Sequence, residues 1–316
     1  MTKLFEAFTK KDWLLAVLRF FIGALFLFSG FTKLVPIEPF ELKFIELGIA
    51  GWTTAPYFAR LLIAAEILLG TLIILNIKPR LVSILIILLL AFFTLYLGYD
   101  ILKNGNEGNC GCFGTTIAMT PLESIIKNIL LLPLVIIVMV YNKKEFVFKP
   151  FLLIPILTIV AIVLPFVIYP VDDNVEMNIN SNTDRVGYKF PVELMPDFQI
   201  NGKKIDLTKG EYILPYFSLQ CSHCKSAAYK LHIISKQHKL PPVYMVLLGN
   251  PDWIPEFIKE TKADFPYYSF NDNNFFKISG NSFPKVYYIK DGIVVAKYDA
   301  LTFQEGNLMK ALGQKQ

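Results

Sequence analysis

Phe217-Ser218-Leu219-Gln220-Cys221-Ser222-His223-Cys224-Lys225 is the stretch whose reading decides the fold of the C-terminal third. The apolar run Tyr212–Phe217 leads into it, and Ala227–His238 follows with helical periodicity. Two cysteines with two residues between them, at such a strand-to-helix junction, are the spacing of a redox dithiol. The chemistry is local. Cys221 falls at a helix N-terminus, where unpaired N–H groups and the helix dipole favour a thiolate. Cys224 lies one turn further in, shielded, as the resolving thiol. His223 adds to the stabilisation of the Cys221 thiolate, and stabilising the reduced form makes the disulfide a stronger oxidant.

Outward from this motif the alternation of strand and helix continues. Phe198–Ile200, Asn201-Gly202 and Ile205–Leu207 read as a hairpin. Pro242–Leu248 reads as a strand and Ile254–Lys262 as a helix. Pro284–Ile289 and Ile293–Tyr298 flank Lys290-Asp291-Gly292, a tight hairpin turn, and Leu301–Leu312 closes with a helix. Pro215 stands inside what should be a central strand, where it lacks the ladder donor, so a bulge or shifted strand end is expected. A zinc site with His232 or His238 is disfavoured, because both lie too far beyond Cys224 for ligand spacing.

The Phe217–Lys225 motif and Ser282-Phe283-Pro284 together resemble thioredoxin-like proteins, nearer their TlpA-like and DsbA-like branches, over roughly residues 190–316. The resemblance implies an α/β fold in which Pro284 is a cis-proline packed beside the dithiol, aligning the client backbone.

The rest of the chain is of another kind. The 316 residues are 54% hydrophobic, above the 45–50% usual for soluble domains, and the excess is concentrated before about residue 170. Trp13–Val35, Tyr57–Asn76, Leu81–Leu102, Pro121–Tyr141 and Pro150–Pro170 are each long enough for a transmembrane helix. The first is too long for a signal peptide and lacks a small-x-small cleavage site. Lys3, Lys10 and Lys11 precede the first span. Lys78 and Arg80 separate the second from the third, and Lys143, Lys144 and Lys149 the fourth from the fifth. All fall on one side, which places the N-terminus in the cytoplasm. The opposite side carries Lys33, Lys43 and Lys103, diluted by Glu38, Glu41, Glu46 and Glu107. An odd number of spans exports the C-terminal domain. The expected location is therefore the bacterial inner membrane, with that domain periplasmic.

The other two cysteines lie after the third span, in Gly108-Asn109-Cys110-Gly111-Cys112-Phe113-Gly114, on the exported side. Bridging a Cys-x-Cys pair demands a bend at the middle residue, which glycine permits. The resulting small ring reads as a labile, oxidising disulfide. A metal site or two inert thiols are the other readings; a metal would want three or four ligands, and no histidine lies in this half. No metal is therefore expected.

Three motifs here carry a second resemblance: Ser29-Gly30-Phe31-Thr32-Lys33-Leu34, Ala65-Glu66-Ile67-Leu68-Leu69-Gly70, and Asn109-Cys110-Gly111-Cys112-Phe113-Gly114. They are similar to the MauE-like branch, named for methylamine utilisation, of the DoxX-like superfamily, over roughly residues 10–142. Asn109 stands where the pattern suggests Asp. The resemblance implies a four-helix membrane domain serving periplasmic disulfide formation, with a quinone (ubiquinone or menaquinone) as acceptor. The fifth span lies outside the pattern and reads as a connector.

Few charges lie inside the spans. Glu66 is a functional candidate by its depth alone. It reads as protonated, paired with Arg19 or Arg60, or handling quinone protons, with an interhelix hydrogen bond as the structural alternative. Arg60, near the depth of the Cys110 loop, reads as a cation for a thiolate or a quinone oxygen. Lys33 and Lys127 read as snorkelling to the interface. Residues 36–55 read either as an interfacial amphipathic helix shielding the outer mouth of the bundle or as a plain connection.

The expected architecture is thus a multi-pass α-helical membrane bundle (residues 1–148), a fifth transmembrane helix (149–171), a linker (172–190) and an exported α/β thioredoxin-like domain (191–316). The expected function is thiol–disulfide oxidoreduction. Cys221 and Cys224, with His223 and Pro284, oxidise client thiols; Cys110 and Cys112 receive the electrons; Arg60 and Glu66 lie toward the quinone. Partners are exported thiol-bearing clients, the quinone and the bilayer. The net charge of +5 is dispersed and indicates no nucleic acid. A reductase or isomerase for an assembly pathway, and a non-catalytic metal-binding chaperone, remain as other readings. A transporter is disfavoured, since few charges are available to line a pathway.

Overall fold

Runs of Leu and Ile punctuated by prolines set the helices of the N-terminal half. In the computed structural model, which describes residues 10–106, 108–114, 116–142, 150–171 and 186–314, these are α1 (Lys10–Leu34), α2 (Glu38–Leu47), α3 (Ala55–Ile74), α4 (Pro79–Asn104), α5 (Pro121–Tyr141) and α6 (Pro150–Ile168). Proline opens α2, α3, α4 and α5 at their first or second positions, where its missing donor costs nothing. Thr120 and Glu123 form a reciprocal cap at the start of α5. α1, α3, α4 and α5 are long and apolar enough to cross a membrane. Their outer faces carry side chains such as Leu95 and Leu130, exposed to 75% and 67%, a surface that lipid solvates and water does not. α6 has 19 residues, about 28 Å of helix, and packs on α3.

Close approach of α1 and α3 depends on two glycines. A Cβ on Gly23 would lie 2.5 Å from the Gly70 carbonyl oxygen, and one on Gly70 2.9 Å from that of Gly23. With no hydrophobic drive between helices in lipid, such small-residue contacts supply the packing. Ile22, Phe26, Leu72, Ile86 and Val135 fill the core between helices.

α2 is a helix, and most of it is buried within the protein. Phe40, Leu42, Lys43, Phe44, Ile45 and Leu47 are buried. Phe44 packs on the rings of Phe40, Phe58 and Tyr96, and Lys43 Nζ reaches Asp100 on α4 at 3.4 Å. The alternation of apolar and charged residues arises because both kinds find partners inside the protein.

One end of the bundle gathers several elements. Arg60 at the start of α3 donates to Glu41 on α2 and to the carbonyls of Tyr169 and Pro170 just beyond α6. Lys103 at the end of α4 donates to the Glu46 carbonyl. The loop after α4 sits over the end of α1, as described below. The chain therefore leaves the helical unit, Met1–Val171, at the end that holds Cys110 and Cys112. The expected linker, 172–190, lies mostly outside the described residues.

The second unit, Asp172–Gln316, contains β1 (Gln199–Ile200), β2 (Lys203–Lys204), β3 (Glu211–Ser218), α7 (Ser222–Gln237), β4 (Met245–Leu248), α8 (Ile254–Thr261), β5 (Tyr267–Ser269), α9 (Asn273–Ser279), β6 (Lys285–Lys290), β7 (Ile293–Tyr298) and α10 (Glu305–Ala311). β1 and β2 form the first hairpin, turning at Asn201 and Gly202, both at positive φ. The main sheet has the order β5-β4-β3-β6-β7. β3–β4 and β4–β5 are parallel, β3–β6 and β6–β7 antiparallel. This order, with α7 packed on β3, is the thioredoxin-like fold. The β6–β7 turn places Asp291 and Gly292 at φ 48° and 76°, as a tight hairpin of this kind requires. β5 and α9, short and bounded by polar turns, had no counterpart in the sequence reading.

Pro215 causes no bulge against β6: it pairs in register with Val286 within an unbroken ladder. Ile213 N donates to Pro242 O and Leu219 N to Leu248 O, so alternate residues of β3, Pro215 among them, point their N–H toward β4. The missing donor falls there, between the isolated Ile213–Val243 bridge and the ladder that resumes at Tyr216. A short break in a parallel pairing accommodates the proline.

Candidate functional site

The C-terminal dithiol sits where β3 gives way to α7. Cys221 is the N-cap of α7, and its sulfur accepts from the Cys224 N–H at 3.4 Å. Cys224 is fully buried and its sulfur accepts from Ser218 N at 3.4 Å. The Phe283–Pro284 peptide is cis and presents the Phe283 carbonyl 4.0 Å from Cys221 Sγ. Pro284 thus stands beside the dithiol. His223 is solvent-exposed and acts through its backbone N–H and its charge.

These contacts separate the two thiols. Cys221 is lowered to about 6, first by the hydrogen bond from the Cys224 thiol, then by the Cys224 and His223 N–H groups and the His223 charge. Cys224 is raised, by that same hydrogen bond and by burial. Such a split suits the lowered, partly exposed thiol to nucleophilic attack and the raised, buried one to resolving a mixed disulfide. The depression also stabilises the folded dithiol form. The sign is that of a lowered acid: the gain is complete above the ordinary thiol range and is lost as pH falls through about 6. Alkylation of Cys221 in the reduced protein is expected to be nearly flat above pH 7 and to fall away below about 6. Cys224→Ala, which removes the first cause, should move that midpoint up further than His223→Ala; the reverse order would show the histidine to be the main cause.

The second dithiol is held by a loop built for close approach. The Asn109 side chain accepts from Gly111 N at 3.0 Å and donates to Gly114 O at 2.9 Å. An aspartate could make only the first bond, so asparagine clamps both ends of the turn. Gly111 and Gly114 lie at φ 73° and 57°. A Cβ on Gly114 would stand 1.9 Å from the Thr32 carbonyl oxygen, so only glycine lets the loop press on the end of α1. Cys110 and Cys112 are buried, 1% and 7% exposed. Cys110 Sγ lies 3.0 Å from Ser124 Oγ and accepts from Cys112 N at 3.3 Å. Ser29 donates to the Cys112 carbonyl at 3.0 Å.

Cys112 faces a cavity of about 40 Å³, lined also by Ser29, Lys33, Glu66, Lys127 and Asn128. Lys33 does not snorkel. It is 2% exposed, its Nζ lies 2.6 and 2.8 Å from the Glu66 carboxylate oxygens and 2.6 Å from Ser29 Oγ, and the rings of Phe40 and Phe93 stand 5.5 and 5.1 Å away. Glu66 is therefore paired with Lys33 rather than with Arg19 or Arg60. Arg19 instead donates to Asn142 at 3.1 Å, and Arg60 is engaged by Glu41 and the carbonyls after α6, outside this cavity. Lys127, half-buried, lies 4.4 Å from the Phe113 ring centroid. Of the two loop thiols Cys112 is the lower. The hydrogen bond from Cys110 is the first cause, and the Lys33 and Lys127 charges reinforce it.

The structure thus brings Glu66 together with Cys112 and leaves Arg60 apart. It adds Ser29, Lys33, Ser124 and Lys127 to the surroundings of the loop. A signal for one of them was present: Ser29 and Lys33 stand one turn apart on the same helix face, and a cation and an anion within spans tend to pair. At about 40 Å³ the cavity has room for a water or two and is too small for a quinone ring. Among the described residues no group of three metal-ligating side chains occurs.

The chain is a membrane protein that joins a helical domain with a buried dithiol loop to a thioredoxin-like domain with a second dithiol. Residues 11–141 match the family described as Methylamine utilisation protein MauE, so the helical unit is a MauE-like membrane domain. The chain is 29% identical to Protein TlpB of Flavobacterium psychrophilum, over 94% of this chain and 94% of that protein. A secreted Mycobacterium tuberculosis disulfide oxidoreductase homologous to E. coli DsbE aligns with 41% of this chain and 94% of its own, at 12% identity and a TM-score of 0.31. At that score the fold rests on the strand order and the dithiol junction.

Proposed function

We propose that this protein is a thiol oxidase of the bacterial inner membrane. Its exported Cys221–Cys224 disulfide oxidises client thiols, the resulting dithiol is re-oxidised by a Cys110–Cys112 disulfide, and the membrane pair passes its electrons to a quinone. Each exchange breaks one S–S bond and forms another, moving two electrons and two protons. The observation that carries this reading is the buried Cys-Gly-Cys loop at the end of the bundle from which the chain departs toward the Cys-x-x-Cys domain. The four cysteines fall in these two pairs, so no thiol remains at the other end of the bundle to bring electrons in by exchange. Between residue 171 and Gly187, which donates to Val294 O in the second unit, the chain reaches at most roughly 55 Å, a length compatible with one domain serving its own membrane pair.

The test is quinone reduction by the purified chain given a reduced peptide dithiol. Turnover is expected with all four cysteines and none with any one of them changed to serine. The Cys110→Ser and Cys112→Ser chains, pre-oxidised at Cys221–Cys224, should still oxidise one equivalent of peptide. A Cys221–Cys224 potential near that of thioredoxin, about −270 mV, without quinone reduction would instead favour a reductase.

A further inference from the structure

We propose that a groove between α1 and α5, open to lipid, is the binding site of the quinone headgroup, with Lys127 as its polar anchor; the proposal rests on the quinone-linked reading above. The groove measures about 420 Å³ and is walled by Phe21, Leu25, Ile126, Leu130 and Leu134, within the range of small-ligand sites. It opens sideways, so a ligand dissolved in the bilayer enters without crossing water.

Two observations select the occupant. Lys127 lines the groove, and among the described residues its ammonium has a ring contact, with Phe113, but no hydrogen-bond acceptor. A cation in a spanning segment calls for an acceptor. Glu123, the other ionisable group on the groove, turns its carboxylate to the Thr120 N–H at 2.8 Å and, among the described residues, forms no ion pair with Lys127. An apolar ring bearing two carbonyl oxygens provides both what the walls bury and what the lysine lacks. Second, Leu25, Lys127 and Leu131 line this groove and also the cavity that holds Cys112. The acceptor site is thus separated from the dithiol by side chains alone. Closing the Cys110–Cys112 disulfide releases two electrons and two protons, all transferred to the acceptor, whose two carbonyls become hydroxyls.

The experiment uses the full chain in lipid nanodiscs with a photoreactive azidoquinone, and reads both the labelled residues and the dissociation constant of a short-chain quinone. Label is expected on α1 and α5 along the groove, competed away by unlabelled quinone. Lys127→Met removes a charged donor and should weaken binding about tenfold or more. Leu134→Trp, which fills the groove, should weaken it as well. Leu134→Trp should leave exchange between the two dithiols unaltered, read as the mixed disulfide trapped by Cys224→Ser, whereas Lys127→Met, which also removes a cation near Cys112, should slow it. If the wild-type chain reduces quinone but is labelled elsewhere, with both variants binding normally, the site is wrong and the oxidase reading stands. Label that excess quinone does not displace would mark the groove as lipid-filled and overturn the proposal. A wild-type chain that neither binds nor reduces quinone would remove the oxidase reading itself.

Discussion

Cys224→Ser is expected to stop turnover and leave the two halves of the chain covalently joined. Cys221, free to attack but deprived of its resolving partner, opens the Cys110–Cys112 disulfide and remains attached to one of its sulfurs. That sulfur should be Cys110. Thiol exchange favours the leaving group with the lower pKa, and Cys112 has the Cys110 hydrogen bond and the charges of Lys33 and Lys127 to hold its thiolate. Both sulfurs are buried, so attack also requires the 108–114 loop to lift from the end of α1. The check is direct. With a protease site placed between residues 172 and 190, the cut halves should co-migrate on a gel without reductant and separate with it. Adding Cys110→Ser should abolish the join, and adding Cys112→Ser should not, provided the chain is first oxidised with a small-molecule disulfide. A join that survives Cys110→Ser would reverse the assignment of the two loop thiols. Its absence in every variant would sink the relay.

The second large effect is on stability. Lys33→Met leaves the Glu66 carboxylate among helices with no cation in hydrogen-bond contact; Ser29, which also reaches it at 3.1 Å, and Lys127 on the same cavity are weak substitutes. Breaking a buried pair from one side typically costs about 3–5 kcal/mol, so this variant is expected to melt well below the wild type in detergent. Glu66→Leu alone strands the lysine between Phe40 and Phe93 and should be destabilised to a similar degree. The double variant Lys33→Met/Glu66→Leu has no orphaned charge and should recover most of the loss, because replacing both members of a buried pair with apolar groups is often neutral or better. It should nonetheless lose reactivity at Cys112, whose thiolate has lost a neighbouring cation. Additive losses in the double variant would show that the two groups are not coupled. Recovery of both stability and Cys112 reactivity would make the pair purely architectural.

Much of this protein was legible residue by residue. Local rules were enough for the apolar runs, the proline helix starts, the Asn201-Gly202 and Asp291-Gly292 turns, and the Cys221–Cys224 junction, since each depends on neighbours within a few positions. Glu66 stood out because a carboxylate in a span is costly wherever it points. Its partner did not, because Lys33 is 33 positions away in sequence and on its own resembles any lysine near a helix end. The burial of α2 was hidden for the same reason: nothing local shows that α4 brings Asp100 to Lys43.

By itself the sequence determined that two dithiols share one membrane-anchored chain, that one opens a helix behind a strand, and that the other bends at glycine. Covalent spacing, backbone propensity and the hydrophobic length of each run need no tertiary partner. Folding alone decided that Lys33 and Glu66 pair beside Cys112, that Arg60 ties down the end of α6, and that Lys127 lines both the dithiol cavity and the lipid-facing groove. Those facts depend on which helix faces lie against each other, and close packing through Gly23 and Gly70 settles that only once the bundle is assembled.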